Sequence, residues 1–299
     1  MHAHPVVWSF RVSWVVLAVI GGGGVSDALV GRSAGVRAVI GIGSFALWAA
    51  VLVASCVFHP LTLTVIRIVV PLALVLSAWA LVAVDEVTAL AVAGLVASIV
   101  ALTLVFASPV ADDFVDGASY GDERRFALRA PASLLLGPGV VVWALCVAGA
   151  LAGPLLLAAQ RWVPGALLTA LGWPVAAWGA RSLHLLARRW VVFVPAGMTL
   201  VDPITLVDSV LFTRARVAAV GPALTGSDAR DLTAGAPGLA LELRVTSPES
   251  LTVRTARSAG ELVEASAVLF TPTRPAAVLD EARRRRLPVG VEGFPATGS

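Results

Sequence analysis

Six apolar runs of membrane-spanning length fill most of the first 187 residues of this chain of 299. A helix needs about 20 mainly apolar residues to cross the hydrocarbon layer of a bilayer. The sequence therefore predicts six transmembrane helices and excludes an ordinary soluble fold for this part of the chain. Their approximate bounds are 12–30, 36–58, 68–84, 87–107, 134–159 and 163–180.

The composition supports this prediction. Only 14% of the residues are charged and 58% are apolar, whereas soluble domains have about 25% charged and about 45–50% apolar residues. Every basic residue is arginine, and the chain contains neither lysine nor asparagine. Because lysine and asparagine codons are rich in A and T, this usage indicates a GC-rich genome, and we expect a bacterial, actinobacterial source.

The first apolar run has two interpretations. Arg11 precedes a short apolar core, as in a secretory signal peptide, but no small-residue cleavage site follows. Five further apolar runs come after it. We interpret the run as the first membrane helix, with a signal peptide as the alternative.

The arginines predict the orientation, because short cytoplasmic loops accumulate positive residues. With the N-terminus inside, eight of the eleven arginines before Trp190 lie on the inner side. This predicts a multi-pass protein of the bacterial plasma (inner) membrane with both termini in the cytoplasm. The inner set is Arg11, Arg67, Arg124, Arg125, Arg129, Arg181, Arg188 and Arg189, and the outer set is Arg32, Arg37 and Arg161.

The pattern changes at Trp190, where apolar residues begin to alternate with polar ones and the charge density rises. Six short strand-like segments are separated by glycine, proline and aspartate, and two helix-like segments follow, 258–270 and 274–290. We expect a six-helix transmembrane domain over 1–189, with a cytoplasmic loop at 108–131. Residues 190–299 then form a small cytoplasmic domain, β-rich with α+β character, that ends in helices.

Two segments carry a family resemblance. The tract "RWVVFVPAGMTLVDPITLVDSVLFTRARVAAVGPA" and the segment "DDFVDGASYGDERRFALRAP" resemble an uncharacterised family of actinobacterial polytopic integral membrane proteins. The rhythm of "GMTLVD…SVLFTRARVAAVG" is similar to bacterial pleckstrin-homology-like (PH-like) domains appended to membrane helices, although it lacks a diagnostic motif. The resemblance implies a PH-like fold for the C-terminal domain and carries no activity.

The acidic residues of the loop at 108–131 are the candidate metal ligands. Asp112, Asp113 and Asp116 have a DDxxD spacing, and clustered carboxylates can hold Mg²⁺ against a diphosphate. Membrane prenyltransferases and CDP-alcohol phosphotransferases use such motifs in pairs, and the chain has no second acidic motif on its fifth predicted helix. We therefore predict no metal site and interpret the loop as an ordered docking segment.

Basic residues near the predicted helix ends are the candidate contacts for a membrane surface or a partner. Arg181, His184 and Arg188 recur at i, i+3 and i+7, which places them on one helix face. Anionic headgroups attract such residues. The full candidate set is Arg124, Arg125, Arg181, His184, Arg188 and Arg189, while the arginines at 283–286 are interpreted as a solvated helix end.

The four-glycine run at 21–24 also has two interpretations. Small residues let membrane helices approach closely, and we favour that role. A helix unwound around a substrate is the alternative.

The sequence thus predicts a non-enzymatic membrane scaffold or regulatory module. Its partners would be the lipid bilayer and, through residues 190–299, a protein or anionic lipid headgroups; no catalytic residue, cofactor or nucleic-acid partner is expected. A small-molecule transporter is the alternative, and a Mg²⁺-dependent lipid-headgroup enzyme using Asp112–Asp116 ranks third. Few ionisable groups lie inside the apolar runs, which argues against proton-coupled transport.

Overall fold

The structure, a computed structural model, describes residues 3–84, 86–254 and 260–290. The chain divides into two compact units, each built from two segments. The first unit comprises residues 1–117 and 139–184, and the second comprises 118–138 and 185–299. The second unit therefore includes a segment that lies before the last two long helices in the sequence.

The first unit is helical. Among the described residues, five helices are long and apolar enough to cross a membrane, or six if the helices Ala89–Val105 and Ser108–Asp116, which meet at a 55° bend, form one span. This agrees with an apolar multi-helix membrane unit. With helices and strands each numbered in chain order, the helices of this unit are α1 (Pro5–Ala28), α2 (Ala34–Cys56), α3 (Pro60–Ala83), α4 (Ala89–Val105), α5 (Ser108–Asp116), α7 (Pro138–Ala158) and α8 (Trp162–Ala187).

Side-chain caps explain where several helices begin. The first turn of a helix leaves backbone N–H groups without intrahelical partners, and a polar side chain just before the helix can accept one of them. Ser33 accepts from the Val36 N–H before α2, and Thr88 accepts from the Ala91 N–H before α4. Proline occupies the first position of α1 and of α3, where its missing N–H costs nothing.

The glycine run of α1 lies in an unbroken helix and packs against α4. A side chain at Gly21 or Gly24 would contact Gly94 or Ala91 of α4, and a Cβ at Gly94 would lie 2.9 Å from the Gly21 Cα. The run therefore provides close helix approach, as we favoured, and the unwound alternative is wrong because α1 continues through it.

Helices α7 and α8 approach each other through glycine as well. A Cβ at Gly172 of α8 would lie about 3.0 Å from the Cα of Gly149 in α7, and a Cβ at Gly179 would lie 2.8 Å from the Cys146 Cβ. Such distances are too short for a real side chain, so the missing side chains set the separation of the two helices.

The second unit contains two four-stranded sheets. The first sheet is an antiparallel meander in the order β1-β2-β3-β4, and the second has the order β5-β7-β8-β6 with a parallel β6–β8 pair. The elements of this unit are β1 (Arg124–Ala127), α6 (Ala132–Leu136), β2 (Trp190–Val194), β3 (Gly197–Val201), β4 (Val210–Thr213), β5 (Val217–Pro222), β6 (Arg230–Asp231), β7 (Leu241–Val253), β8 (Glu261–Phe270) and α9 (Pro275–Arg284).

One hydrophobic core joins the two sheets and α9. Phe193 and Phe212 from the first sheet, Leu241 and Phe270 from the second, and Val278 of α9 all belong to it and are at most 2% exposed. Backbone bridges at Leu128–Pro272 and Leu206–Val253 also connect the sheets. The sheet-rich C-terminal domain predicted from the alternating pattern is thus present.

Strand β8 corrects one sequence prediction. Residues 258–270 were expected to form a helix, but Glu261–Phe270 pair with β7 along almost their whole length. Ala265, Ala267 and Val268 are buried in this pairing, whereas Leu262 is 73% exposed. Cross-strand packing has overridden the local helix propensity of this segment. Of the helix predicted over 274–290, the structure has α9 at Pro275–Arg284, and the chain leaves the helix before Pro288. Residues 291–299 lie outside the described residues.

Candidate functional site

The acidic residues at 112–116 lie on α5, a short helix and not an open loop. Asp112 and Asp116, one turn apart on the same face, are each 5% exposed. Asp113 is on another face, where its Oδ2 accepts a hydrogen bond from the His4 backbone N–H at 2.7 Å. Because Asp113 lies on a different face of α5 from Asp112 and Asp116, the three carboxylates do not converge on one point.

This arrangement does not assemble a metal centre. Within residues 3–84, 86–254 and 260–290, no three side chains of His, Cys, Asp or Glu come together as a metal ion would require. Asp113 instead holds the chain entering α1, whose cap His4 accepts from the Val6 N–H. The residues present do not fit a Mg²⁺-diphosphate site, and we derive no chemistry from them.

Arg124 and Arg125 lie on β1, with different surroundings. Arg125 donates to Glu123 at 2.9 Å and its guanidinium lies 5.7 Å from the Trp190 ring centroid. The hydrogen bond from Arg125 holds the pKa of the Glu123 carboxyl below its usual range, which favours the ionised form of this carboxyl. Arg124 is exposed.

The face predicted from Arg181, His184 and Arg188 is only partly available. Arg181 and Arg188 are exposed, but His184 is half-buried, with its Nδ1 2.8 Å from the Thr64 hydroxyl oxygen of α3. His184 therefore contributes to helix packing inside the first unit.

Arg189 requires a correction, because it is buried and cannot be a surface contact. It is 1% exposed and makes a two-pronged ion pair with Asp202, with Nε to Oδ1 at 2.8 Å and Nη2 to Oδ2 at 2.7 Å. Its Nη1 donates to the Arg129 carbonyl at 2.7 Å. The guanidinium is fully committed within the second unit.

A role for Asp202 was not predicted from the sequence, although the residues that follow it are typical of an aspartate turn. It also accepts from the Ile204 N–H at 3.0 Å and the Thr205 hydroxyl at 2.8 Å. An aspartate that bonds the backbone two residues later forms a turn of the Asx type, and "DPIT" is a sequence of that kind. The turn was predictable, but its arginine partner, thirteen positions away, was not.

The end of the first sheet at which β1 stops and β2 starts carries an exposed apolar surface. Ala127 pairs with Trp190, and the Leu128 N–H donates to the Arg189 carbonyl. The segment that follows β1 and the segment that precedes β2 therefore start next to each other. On these segments, Leu135 and Leu136 of α6 are 40% and 85% exposed, and Arg188 is exposed. We call Leu135, Leu136 and Arg188 the α6 surface.

The charge of the chain is concentrated in the same unit. The second unit contains sixteen arginines against thirteen acidic residues, whereas the first unit contains six of each. The formal net charge of +3 therefore belongs to the sheet-rich unit. This follows from the assignment of residues 118–138 and 185–189 to that unit.

The arginines at 283–286 are largely paired within α9. Arg283 contacts Asp280 at 2.8 Å, and Arg285 contacts the buried Glu281 at 2.6 Å, while Arg284 also pairs with Glu281. These arginines therefore form their ion pairs with acidic residues of the same helix.

Comparison with known proteins gives no assignment: no family model, curated protein or solved structure matches the chain.

Proposed function

We propose that the chain is a non-enzymatic integral protein of a bacterial plasma membrane, of actinobacterial origin. Its sheet-rich unit would be a cytoplasmic recognition module that contacts anionic lipid headgroups. The observation that carries the proposal is the α6 surface, whose exposed leucines lie on the segment that follows β1 and whose exposed arginine directly precedes β2. Apolar side chains that enter the headgroup region next to cations are typical of interfacial membrane contact.

The proposed module has a PH-like architecture. Two four-stranded sheets share one core, and a C-terminal helix contributes Val278 and Ala282 to it. These features support the proposal of a PH-like fold, which the resemblance of "GMTLVD…SVLFTRARVAAVG" implies. The net positive charge of the unit supports attraction to an anionic surface, at about 1 kcal/mol for each basic residue close to it.

The orientation is the first expectation to test. The arginine distribution supports a cytoplasmic sheet-rich unit, so a cysteine introduced at Leu262 should be protected from a membrane-impermeant thiol reagent in intact cells and react after permeabilisation. The experiment uses a variant in which the native Cys56 and Cys146 are replaced by alanine, so that only the introduced cysteine can react. Labelling of intact cells at Leu262→Cys would overturn the cytoplasmic placement.

The headgroup contact is tested with a fluorophore in reconstituted vesicles. In the full chain without native cysteines, an environment-sensitive label at Leu136→Cys should be quenched by headgroup-spin-labelled lipid. The quenching should increase as phosphatidylglycerol replaces phosphatidylcholine, because Arg188 favours an anionic surface. Adding Arg188→Gln should weaken that dependence on phosphatidylglycerol.

Leu262→Cys is the matched control, because Leu262 is 73% exposed on β8 in the same unit but is not part of the α6 surface. Its label should remain unquenched in both lipids. Equal quenching at positions 136 and 262, or none at 136, would contradict the proposed contact.

A protein partner is the second candidate, and one feature favours it. Strand β4 is an edge of the first sheet, and within the described residues no strand pairs with its outer side. Leu211 on this strand is 42% exposed. An extended peptide could add to such an edge; retrieval of a partner by the full chain that is lost in Leu211→Pro would favour this candidate over lipid contact.

A further inference from the structure

The first unit contains an elongated apolar cavity of about 330 Å³ between α1, α2 and α3. Ligand pockets in proteins have volumes of about 300–1,000 Å³, so this cavity is large enough for a small molecule. Eighteen of the described residues line it, and none of these eighteen is ionisable. The lining excludes a charged ligand, since nothing there would compensate a buried charge.

Helix α2 is buried only near its C-terminal end. The buried residues of α2 are Val51, Ala54 and Ser55, all in its last six residues. Just before this buried end, Trp14 and Trp48 bond each other reciprocally, each indole N–H donating to the backbone carbonyl of the other at 3.0 Å. These two hydrogen bonds tie α1 to α2, and both tryptophans line the cavity.

Glycines create much of the empty space. Gly22 of α1 and Gly41 of α2 line the cavity, and a Cβ built on either would meet nothing within 4 Å. Most glycines at helix contacts, such as Gly24, would instead collide with a neighbour. Helix packing does not require glycine at positions 22 and 41, so their absent side chains leave room for something else.

The shape of the cavity indicates a chain-like occupant. The lining extends along α1 from Trp14 to beyond Ser26, a distance of about 18 Å at the rise of an α-helix. Close-packed interiors do not leave voids of this size without losing dispersion contacts. A hydrocarbon chain would restore those contacts along the whole length.

The hydroxyl groups of the lining add a polar requirement. Ser44 donates to its own helix at the Gly41 carbonyl. The side-chain hydroxyls of Ser26, in the last turn of α1, and Ser77, in the second half of α3, make no hydrogen bond to the described residues. Two hydroxyls within an otherwise apolar lining suit a ligand that has one or two neutral oxygen atoms.

We propose that this cavity binds an uncharged lipid, with its hydrocarbon chain between α1, α2 and α3 and a hydroxyl or ester oxygen near Ser26 and Ser77. This site lies in the helical unit and is independent of the headgroup contact of the sheet-rich unit. It also differs from a transport pathway for polar solutes, because no ionisable side chain lines it.

The experiment is photolabelling of the full chain in phosphatidylcholine vesicles with a diacylglycerol that carries a diazirine in one acyl chain. Crosslinks should map to the cavity segments of α1 and α2. Gly41→Leu and Gly22→Leu each place a side chain in the cavity at a position where an added Cβ meets nothing within 4 Å, and each should reduce labelling at least tenfold. Gly43→Leu is the matched control, because Gly43 lies on the same helix, has open space at its Cβ and does not line the cavity.

The hydrogen-bonding part is tested with Ser26→Ala and Ser77→Ala. The double variant should lower diacylglycerol labelling several-fold but leave labelling by a diazirine-bearing alkane unchanged. Equal labelling of Gly41→Leu, Gly22→Leu and Gly43→Leu, or crosslinks confined to the outer faces of the helices, would overturn the proposed site. If the serine variants reduce both probes equally or neither, the proposed polar contact is wrong.

Discussion

Replacement of Arg189 by alanine is expected to destabilise the sheet-rich unit by about 3–5 kcal/mol, because it leaves a buried carboxylate without its cation. Asp202 is 2% exposed and keeps only the Ile204 N–H and the Thr205 hydroxyl as donors after this change. Amide hydrogen exchange of β2 and β3 in the full chain should accelerate by a factor of about 150 or more, since 1.4 kcal/mol corresponds to tenfold.

Two comparisons make this expectation specific to burial. Arg216 forms an ion pair with Glu249 but its side chain is 45% exposed, so Arg216→Ala should cost only about 0–1 kcal/mol. The double change of Arg189→Met and Asp202→Leu should recover much of the loss, because apolar replacements of a buried pair are often neutral or stabilising. If Arg189→Ala costs no more than Arg216→Ala, the buried pair does not stabilise this unit.

Replacement of Gly172 by valine should separate α7 from α8 and cost about 3 kcal/mol, at the upper end for overpacking. A Cβ at position 172 would collide with the backbone of Gly149, which cannot rotate away as a side chain can. At an unhindered helix position, replacing glycine usually stabilises, since glycine costs about 1 kcal/mol relative to alanine. Replacement of Gly172 is therefore expected to lower the stability of the protein, where replacement of an unhindered helix glycine would raise it.

The denaturant midpoint of the full chain in micelles, followed by tryptophan fluorescence, measures this effect. Gly43→Val in α2 is the control, because its Cβ meets nothing within 4 Å, and its midpoint should change little or rise. A midpoint for Gly172→Val as high as that of Gly43→Val would show that the α7–α8 contact is not as close as described.

The helices that are long and apolar enough to cross a membrane were predictable, because each corresponds to a long apolar run in the sequence. The strands β2 to β5 were also predictable from alternation and turn residues. Strand β8 was not, since alanine and glutamate within "ELVEASAVLF" favour a helix locally, and only the pairing with β7 decides its conformation. Local propensity cannot contain that information.

The candidate site was less predictable than the fold, because the decisive contacts join residues far apart in sequence. The spacing of Asp112, Asp113 and Asp116 suggested a metal cluster, but α5 directs Asp113 to His4, 109 positions away. The sequence predicted that Arg189 is a surface cation near the membrane, whereas the structure shows it buried in an ion pair with Asp202. The apolar cavity between α1, α2 and α3 could not be predicted from the sequence. Its glycines look the same in the sequence as glycines that allow close helix contact.

The interrupted sequence of the sheet-rich unit has a consequence for biogenesis. Strand β1 leaves the ribosome before α7 and α8, whereas its partner β2 is made only after them. At ordinary rates of translation this delay lasts several seconds, during which the four residues of β1, two of them arginines, must remain unpaired. The first sheet can therefore be completed only after α7 and α8 have been synthesised. A chain truncated before Trp190 would contain β1 without its partner strand β2.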